Sequence, residues 1–307
     1  MIYSPSQSKV DLECAVERQL SQEGWQSRVI SIRDWIAWVG QGVHAGLASK
    51  WHPSAPLLTD LRKAVLDTGA AEFVKHYDHA VKAGRIIPHT FYIGEAKAHI
   101  ERCLEYAMKN DILPAGFEVE RTEQTLGDYN CILDVVGKRN GKPTFIDWKI
   151  KNKLRLDYLD QELEKYRYDW KEARHYPWAL SEVTGQRVED YSVVMFILQP
   201  FKVVQRTYNV NWPMVERWVQ GCAGMYSSDT GLWDIMEGEA AGNGEMWPVE
   251  VHQSNACMGG QWPCEYLDAC WTYDLDREKM KAGGLIQVQR IDKLIVAGSQ
   301  QTEQERA

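Results

Sequence analysis

The sequence predicts an α/β fold, a central β-sheet flanked by helices. Three observations carry that expectation. Two β-rich runs, at 131–136 and 144–150, flank Asn140-Gly141, a pair that favours a tight hairpin. A near-continuous apolar run at 190–199, with the core Tyr191-Ser-Val-Val-Met-Phe-Ile-Leu198, fits a strand buried on both faces. A stretch at 95–110 places Ala98, Cys103, Leu104 and Ala107 near helical spacing, the mark of an amphipathic helix.

The elements follow in order. Residues 4–20 read as a short helix opened by Ser4-Pro5-Ser6 and carrying Cys14, and residues 31–50 as a helix carrying His44. Residues 57–66 look helical, while Phe73-Val-Lys-His-Tyr77 fits helix and strand alike. The helix at 95–110 ends before Ile112-Leu113-Pro114, and Cys103 reads as one of its core residues. An alternating strand at 116–122 puts Glu118 and Glu120 on one face, either solvated or turned toward a site on the hairpin. Beyond the hairpin, 158–180 reads as one helix that Pro177 can kink. The run at 190–199 gains a neighbour at 203–210, and Asn211-Trp212-Pro213 opens a helix to about residue 226. Residues 237–256 are loop-rich, and the polar residues 299–307 are expected to be disordered. One domain over 1–298 is expected, with a helical part (1–110), a core (111–235) and a cysteine-rich segment (250–275).

The hairpin concentrates the chemistry. With Asn140-Gly141 as a two-residue turn, Arg139 pairs with Lys142 and Asp134 stands opposite Asp147. Like charges directly opposed destabilise a hairpin, so the pair suggests a cation between them. Lys149 lies two residues past Asp147 and shares its face. Two carboxylates and an ammonium on one platform can hold a divalent metal and activate water for phosphodiester hydrolysis. Trp148, between them, should point its side chain into packing on the opposite face.

Composition bounds the reading. A chain of 307 residues with 44% hydrophobic content can bury a sizeable core. Net charge −8 argues against indiscriminate coating of nucleic acid, yet Lys151, Lys153 and Arg155 extend a local basic track from Lys149. That track serves DNA phosphates or is a solvated strand end. Thirteen tryptophans can pack the core or stack on unpaired bases. No apolar run reaches membrane-spanning length and no signal peptide is evident, so a cytoplasmic location is expected. No phosphate-binding glycine loop accompanies Gly141-Lys142, which removes a helicase motor from consideration.

Asp134 followed by Ile146-Asp147-Trp148-Lys149 resembles the core of the PD-(D/E)XK nuclease superfamily in its Asp-x-Lys form. Three further features resemble its RecB-like branch, which includes the AddB and CRISPR-associated iron–sulfur nucleases. Gly42-Val43-His44 is similar to that branch's Gly-x-x-His helix, one residue shorter. Glu172-Ala-Arg-His-Tyr176 is similar to its Gln-x-x-x-Tyr helix, with Glu172 in the glutamine position; Gln161 and Tyr166 offer a poorer match. Cys14 with Cys257, Cys264 and Cys270 resembles its cluster-binding set of one early and three late cysteines.

The resemblance implies a restriction-endonuclease-like core with a mixed sheet. It implies a DNA exonuclease of recombination or repair, like the stand-alone versions of phages and prophages, working in a bacterial or phage-infected cell. His44, Asp134, Asp147 and the Trp148 backbone carbonyl would hold Mg²⁺ or Mn²⁺. Lys149 would activate water, and Glu172 and Tyr176 would orient Lys149 or the phosphate. Lys151, Lys153 and Arg155 would meet DNA. The four cysteines would hold a [4Fe–4S] cluster that staples the chain's ends together; Zn²⁺ suits the same thiolates, and buried free thiols remain the plain alternative. The expected partner is DNA, as single strands or duplex ends, with a recombinase, single-strand-binding protein or helicase beside it and no membrane. Two rivals stand beside this reading: a catalytically inactive nucleic-acid-binding or scaffold protein of the same fold, and a zinc–thiolate structural protein.

Overall fold

The computed structural model describes residues 25–52, 55, 60–129, 131–168, 171–227, 278 and 285–287. In chain order these form β1 (Trp25–Ser27), α1 (Ile32–Lys50), α2 (Leu61–Lys82), α3 (Ile93–Lys109), β2 (Phe117–Leu126), β3 (Cys131–Arg139) and β4 (Lys142–Lys153). Then come α4 (Leu159–Lys165), a π-helical turn (Lys171–His175), α5 (Tyr176–Thr184), β5 (Asp190–Gln199), β6 (Phe201–Asn209), α6 (Trp212–Ser227) and β7 (Leu285–Gln287). The expected helix at 4–20, the loop-rich 237–256 and the polar tail lie outside the described residues.

The fold is mixed α/β. Five strands form one sheet in the order β2-β3-β4-β5-β6, and β1 pairs separately with β7. All neighbours in the larger sheet are antiparallel except β4 and β5. Parallel neighbours need a crossover, and α4, the π turn and α5 supply it. The β3–β4 turn is the expected one: Arg139 pairs with Lys142, and Asn140 and Gly141 have φ of 54° and 76°. Positive φ at both positions is what a type I′ turn requires, and Asn-Gly adopts it at little cost.

Two cores sandwich the sheet. Ile146, Trp148, Val194, Phe196 and Leu198 face α1, α2 and α3, while Phe145, Val193, Met195 and Ile197 face α4, the π turn and α5. β5 therefore buries both faces, as its unbroken apolar run implies.

Helices α1 and α2 approach closely through glycines. A Cβ on Gly42 would stand 2.7 Å from the Gly69 carbonyl oxygen, and one on Gly69 2.8 Å from that of Gly42. Ser31 starts α1 with a capping box: its hydroxyl accepts from the Asp34 amide, and the Asp34 carboxylate accepts from the Ser31 amide. Arg85 braces the same carboxylate at 3.1 Å.

Three elements differ from expectation. The α2 segment is helical through Phe73–Tyr77, because Phe73 is fully buried on the three-helix side. β2 runs on to Leu126, with a bulge between Val119 and Arg121. The single helix expected over 158–180 is broken. The Tyr191 and Tyr208 hydroxyls donate to the carbonyls of Tyr166 and Leu163, at 2.7 and 2.6 Å. These carbonyls leave the helical ladder, and Pro177 sits in the first turn of α5, where its missing amide costs nothing.

Candidate active site

The site lies where the sheet forks. β3 and β4 pair from the turn as far as Val135 and Ile146. Beyond that point β4 pairs with β5, and the other half of β3 with β2. Asp134 and Asp147 are the next residues on each strand, so they stand at the crotch of the fork. The Trp148 amide donates to Asp134 Oδ2 at 2.7 Å. One Asp134 oxygen thus takes the place of a ladder acceptor, and the other faces the cleft.

α1 delivers His44 from across the fork, with Nδ1 3.2 Å from Asp134 Oδ1. Burial alone would lower the imidazole's pKa, but Asp134, helped by Glu123 and Asp147, raises it above the ordinary histidine value. Burial likewise pushes the Asp134 carboxyl up, and His44, the Trp148 amide and Lys149 outweigh it, leaving a lowered pKa. For Asp147 burial wins: its pKa is raised, with the Asp134 charge adding to the effect and Lys149 opposing it.

Lys149 reaches back from β4 to two carboxylates, Asp147 at 2.7 Å and Glu172 at 2.5 Å. Burial would lower the ammonium's pKa, but these two partners hold it well above the usual lysine value. The Asp147 contact is an ion pair that misses the hydrogen-bond direction at Oδ2. Glu172 is 1% exposed and is carried by the π turn. Such turns add a residue per turn and re-aim side chains, often at functional sites. The Lys149 ammonium also lies 5.4 Å from the Tyr166 ring centre. Tyr176 packs edge-on against Phe145; burial, with Asp147 and Asp134 close by, drives its phenol far above the ordinary range.

The structure thus gathers His44, Asp134, Asp147, Lys149, Glu172 and Tyr176 into one cleft. The Trp148 side chain turns to the opposite face, stacked 5.7 Å from Trp51. The basic track is more engaged than its sequence suggests. Lys151 pairs with Glu162 at 2.7 Å and Arg155 with Asp157 at 2.5 Å, while Lys153 is exposed at the strand's end. Glu118 and Glu120 lie on the solvated side, Glu120 paired with Lys138.

Glu123 is the site residue that sequence reasoning missed. Thr122 pairs with Val135 and Gln124 with Leu133, so Glu123 stands level with Asp134. Its φ is 48°, in the left-handed region. Donor atoms of His44, Glu123 and Asp134 all lie within 4.8 Å of one another. Strict alternation put Glu118 and Glu120 on the face of interest; the bulge and the left-handed step reset the phase. No period-two pattern could have signalled this.

Cys14, Cys257, Cys264 and Cys270 lie outside the described residues. Cys103 and Cys131 are buried free thiols, both pushed up to about 12 by burial, which makes them inert core residues. No described helix is long and apolar enough to cross a membrane.

No protein-family model matches the chain, and no curated protein matches it. Among solved structures it aligns with the crystal structure of SSO0001 at 12% identity, over 63% of this chain and 76% of that one, with a TM-score of 0.19. A likeness at that level carries no argument.

Proposed function

We propose that this chain is a metal-dependent nuclease that hydrolyses phosphodiester bonds in DNA, an exonuclease of recombination or repair with a PD-(D/E)XK-type core. One observation carries the reading: Asp134, Asp147 and Lys149 converge at the fork of the sheet, with His44 brought to them from a separate helix. The donor set fits a divalent cation, since hard oxygen donors and one imidazole face one cleft.

In this reading His44, Asp134, Asp147 and the Trp148 carbonyl hold one or two Mg²⁺ or Mn²⁺ ions. When bound, the cation supplies Lewis-acid stabilisation of phosphoryl charge and a more acidic water. The chain's own residues do the rest. Asp134, fixed by the Trp148 amide, and Asp147 orient the attacking water. Lys149, cationic between two carboxylates, offsets charge on the scissile phosphate. Glu172 positions the Lys149 ammonium. Lys153, with Arg155 and Lys151 behind it, guides the strand.

The test is digestion of end-labelled single- and double-stranded DNA with Mg²⁺ or Mn²⁺, by anaerobically purified protein. We expect Asp147→Asn to cut at least 100-fold more slowly than wild type while retaining DNA binding. Undiminished cutting by clean Asp147→Asn protein would refute the assignment. DNA binding without turnover in the wild type would favour the scaffold reading. A visible spectrum of the same sample tests the cysteine ligands, brown for iron–sulfur and colourless for zinc or free thiols.

A further inference from the structure

The proposed chemistry leaves one cleft carboxylate unused. We infer that Glu123 is itself a ligand of the cation, and that His44, Glu123 and Asp134 form its primary seat on the α1, β2 and β3 side of the fork, with Asp147 facing it from β4. This inference rests on the metal-dependent reading and deepens it.

Four observations support it. First, the three donors lie within 4.8 Å of one another. Bonds of about 2.1 Å to a six-coordinate ion separate its donors by roughly 3 to 4.2 Å, so only a small closure is needed. Second, Asp134 has committed Oδ2 to the Trp148 amide, leaving Oδ1 on the side where His44 stands. Third, Asp147 points into the same cleft from the other strand. Its side chain is only 8% exposed, and its Oδ2 lacks a well-directed hydrogen bond. A buried oxygen left so is costly unless something else meets it. Fourth, Glu123 reaches this level only through its left-handed backbone, a conformation that glutamate rarely adopts.

The seat also has a preference. An imidazole nitrogen among carboxylates suits Mn²⁺ better than Mg²⁺, which demands near-ideal oxygen octahedra and keeps its waters. Mn²⁺ should therefore bind the protein more tightly than Mg²⁺ in the absence of DNA.

The experiment titrates the full chain with MnCl₂ alone, read by calorimetry and by the electron paramagnetic resonance signal of free Mn²⁺. Wild type is compared with Glu123→Gln, Glu123→Asp, Asp147→Asn and the surface control Glu120→Gln, each checked for fold by circular dichroism. We expect Glu123→Gln to weaken Mn²⁺ on the order of tenfold or more, Glu123→Asp to fall between, and Glu120→Gln to match wild type. Glu123→Gln protein that binds Mn²⁺ within twofold of wild type would overturn the inference and make Glu123 a partner of His44 only. Loss of Mn²⁺ in Asp147→Asn but not in Glu123→Gln would also overturn it, moving the cation to β4 while leaving the nuclease reading intact. Wild type that binds no Mn²⁺ yet digests DNA with Mg²⁺ would overturn the seat alone. Wild type that neither binds Mn²⁺ nor cuts would remove both.

Discussion

Lys149 is one positive charge set against two buried negative ones, and its worth can be measured. Removing one partner of a buried pair leaves an uncompensated charge, which costs about 3–5 kcal/mol, whereas neutralising a partner isosterically costs less. Lys149 itself is partly exposed, so the lower end applies. Lys149→Met should destabilise the protein by about 3 kcal/mol, since Glu172 and Asp147 would then face each other's charge without a cation. Glu172→Gln should cost about 1 kcal/mol, because Lys149 keeps Asp147. Urea unfolding in chelator decides, and the reverse order would refute this account. At this scale the sequence was readable wherever a strict period held. Asn140-Gly141 fixed the register, and the register placed Asp134, Asp147 and Lys149. Glu123 was not readable, because a bulge and one left-handed residue are tertiary events with no local signature. Glu172 was reached by resemblance alone; that it meets Lys149 depends on the π turn.

At the scale of elements, the close contact between α1 and α2 sets where His44 hangs over the fork. A methyl group on Gly42 would meet the backbone of α2 and the Ile100 side chain at 2.7–2.8 Å, and backbone cannot swing aside. Gly42→Ala should therefore cost about 1–3 kcal/mol. At Gly94, by contrast, a Cβ meets nothing within 4 Å, and Gly94→Ala should stabilise α3 by about 0.5 kcal/mol. Thermal melts that fail to separate the two substitutions would discount the glycine contact. A second element is tied by charge. Glu162 on α4 pairs with Lys151 and Lys165. Burial raises its pKa, and the two lysines outweigh burial to leave it lowered. The stability it contributes is thus complete above its ordinary value of 4.5 and is lost as pH falls through the lowered value. Glu162→Gln should leave a shallower loss of melting temperature between neutral pH and pH 4 than wild type shows. The strands and α1, α3 and α6 were legible in the sequence because burial on one or both faces imposes its own period. The segment after β4 was not, because hydroxyls of Tyr191 and Tyr208, remote in sequence, break that helix.

On the scale of the whole molecule, the sheet explains why one cleft can draw on so many elements. β3 and β4 begin as a hairpin and end in different partnerships, one with β2 and the other with β5. Helices from both faces reach the gap between them: α1 brings His44 from one side, and the π turn brings Glu172 from the other. Strand order and crossover were only partly readable from the chain. Period two reveals which face a residue takes, whereas the choice of β5 as a parallel neighbour is decided by non-local packing of its two apolar faces.

The fork has a consequence for how defects at Asp134 are to be read. Its carboxylate holds the Trp148 amide that would otherwise be offered to the opposing strand. In that role the side chain is a wedge, and the hairpin behind it is a zipper stopped one tooth short. Taking the wedge away does more than delete a ligand: it frees an amide to seek the facing backbone, so the strands can close over the space that substrate needs. An inactive Asp134 variant therefore reports on shape as much as on chemistry, whereas Asp147, whose carboxylate supports no backbone amide, reports on chemistry more cleanly.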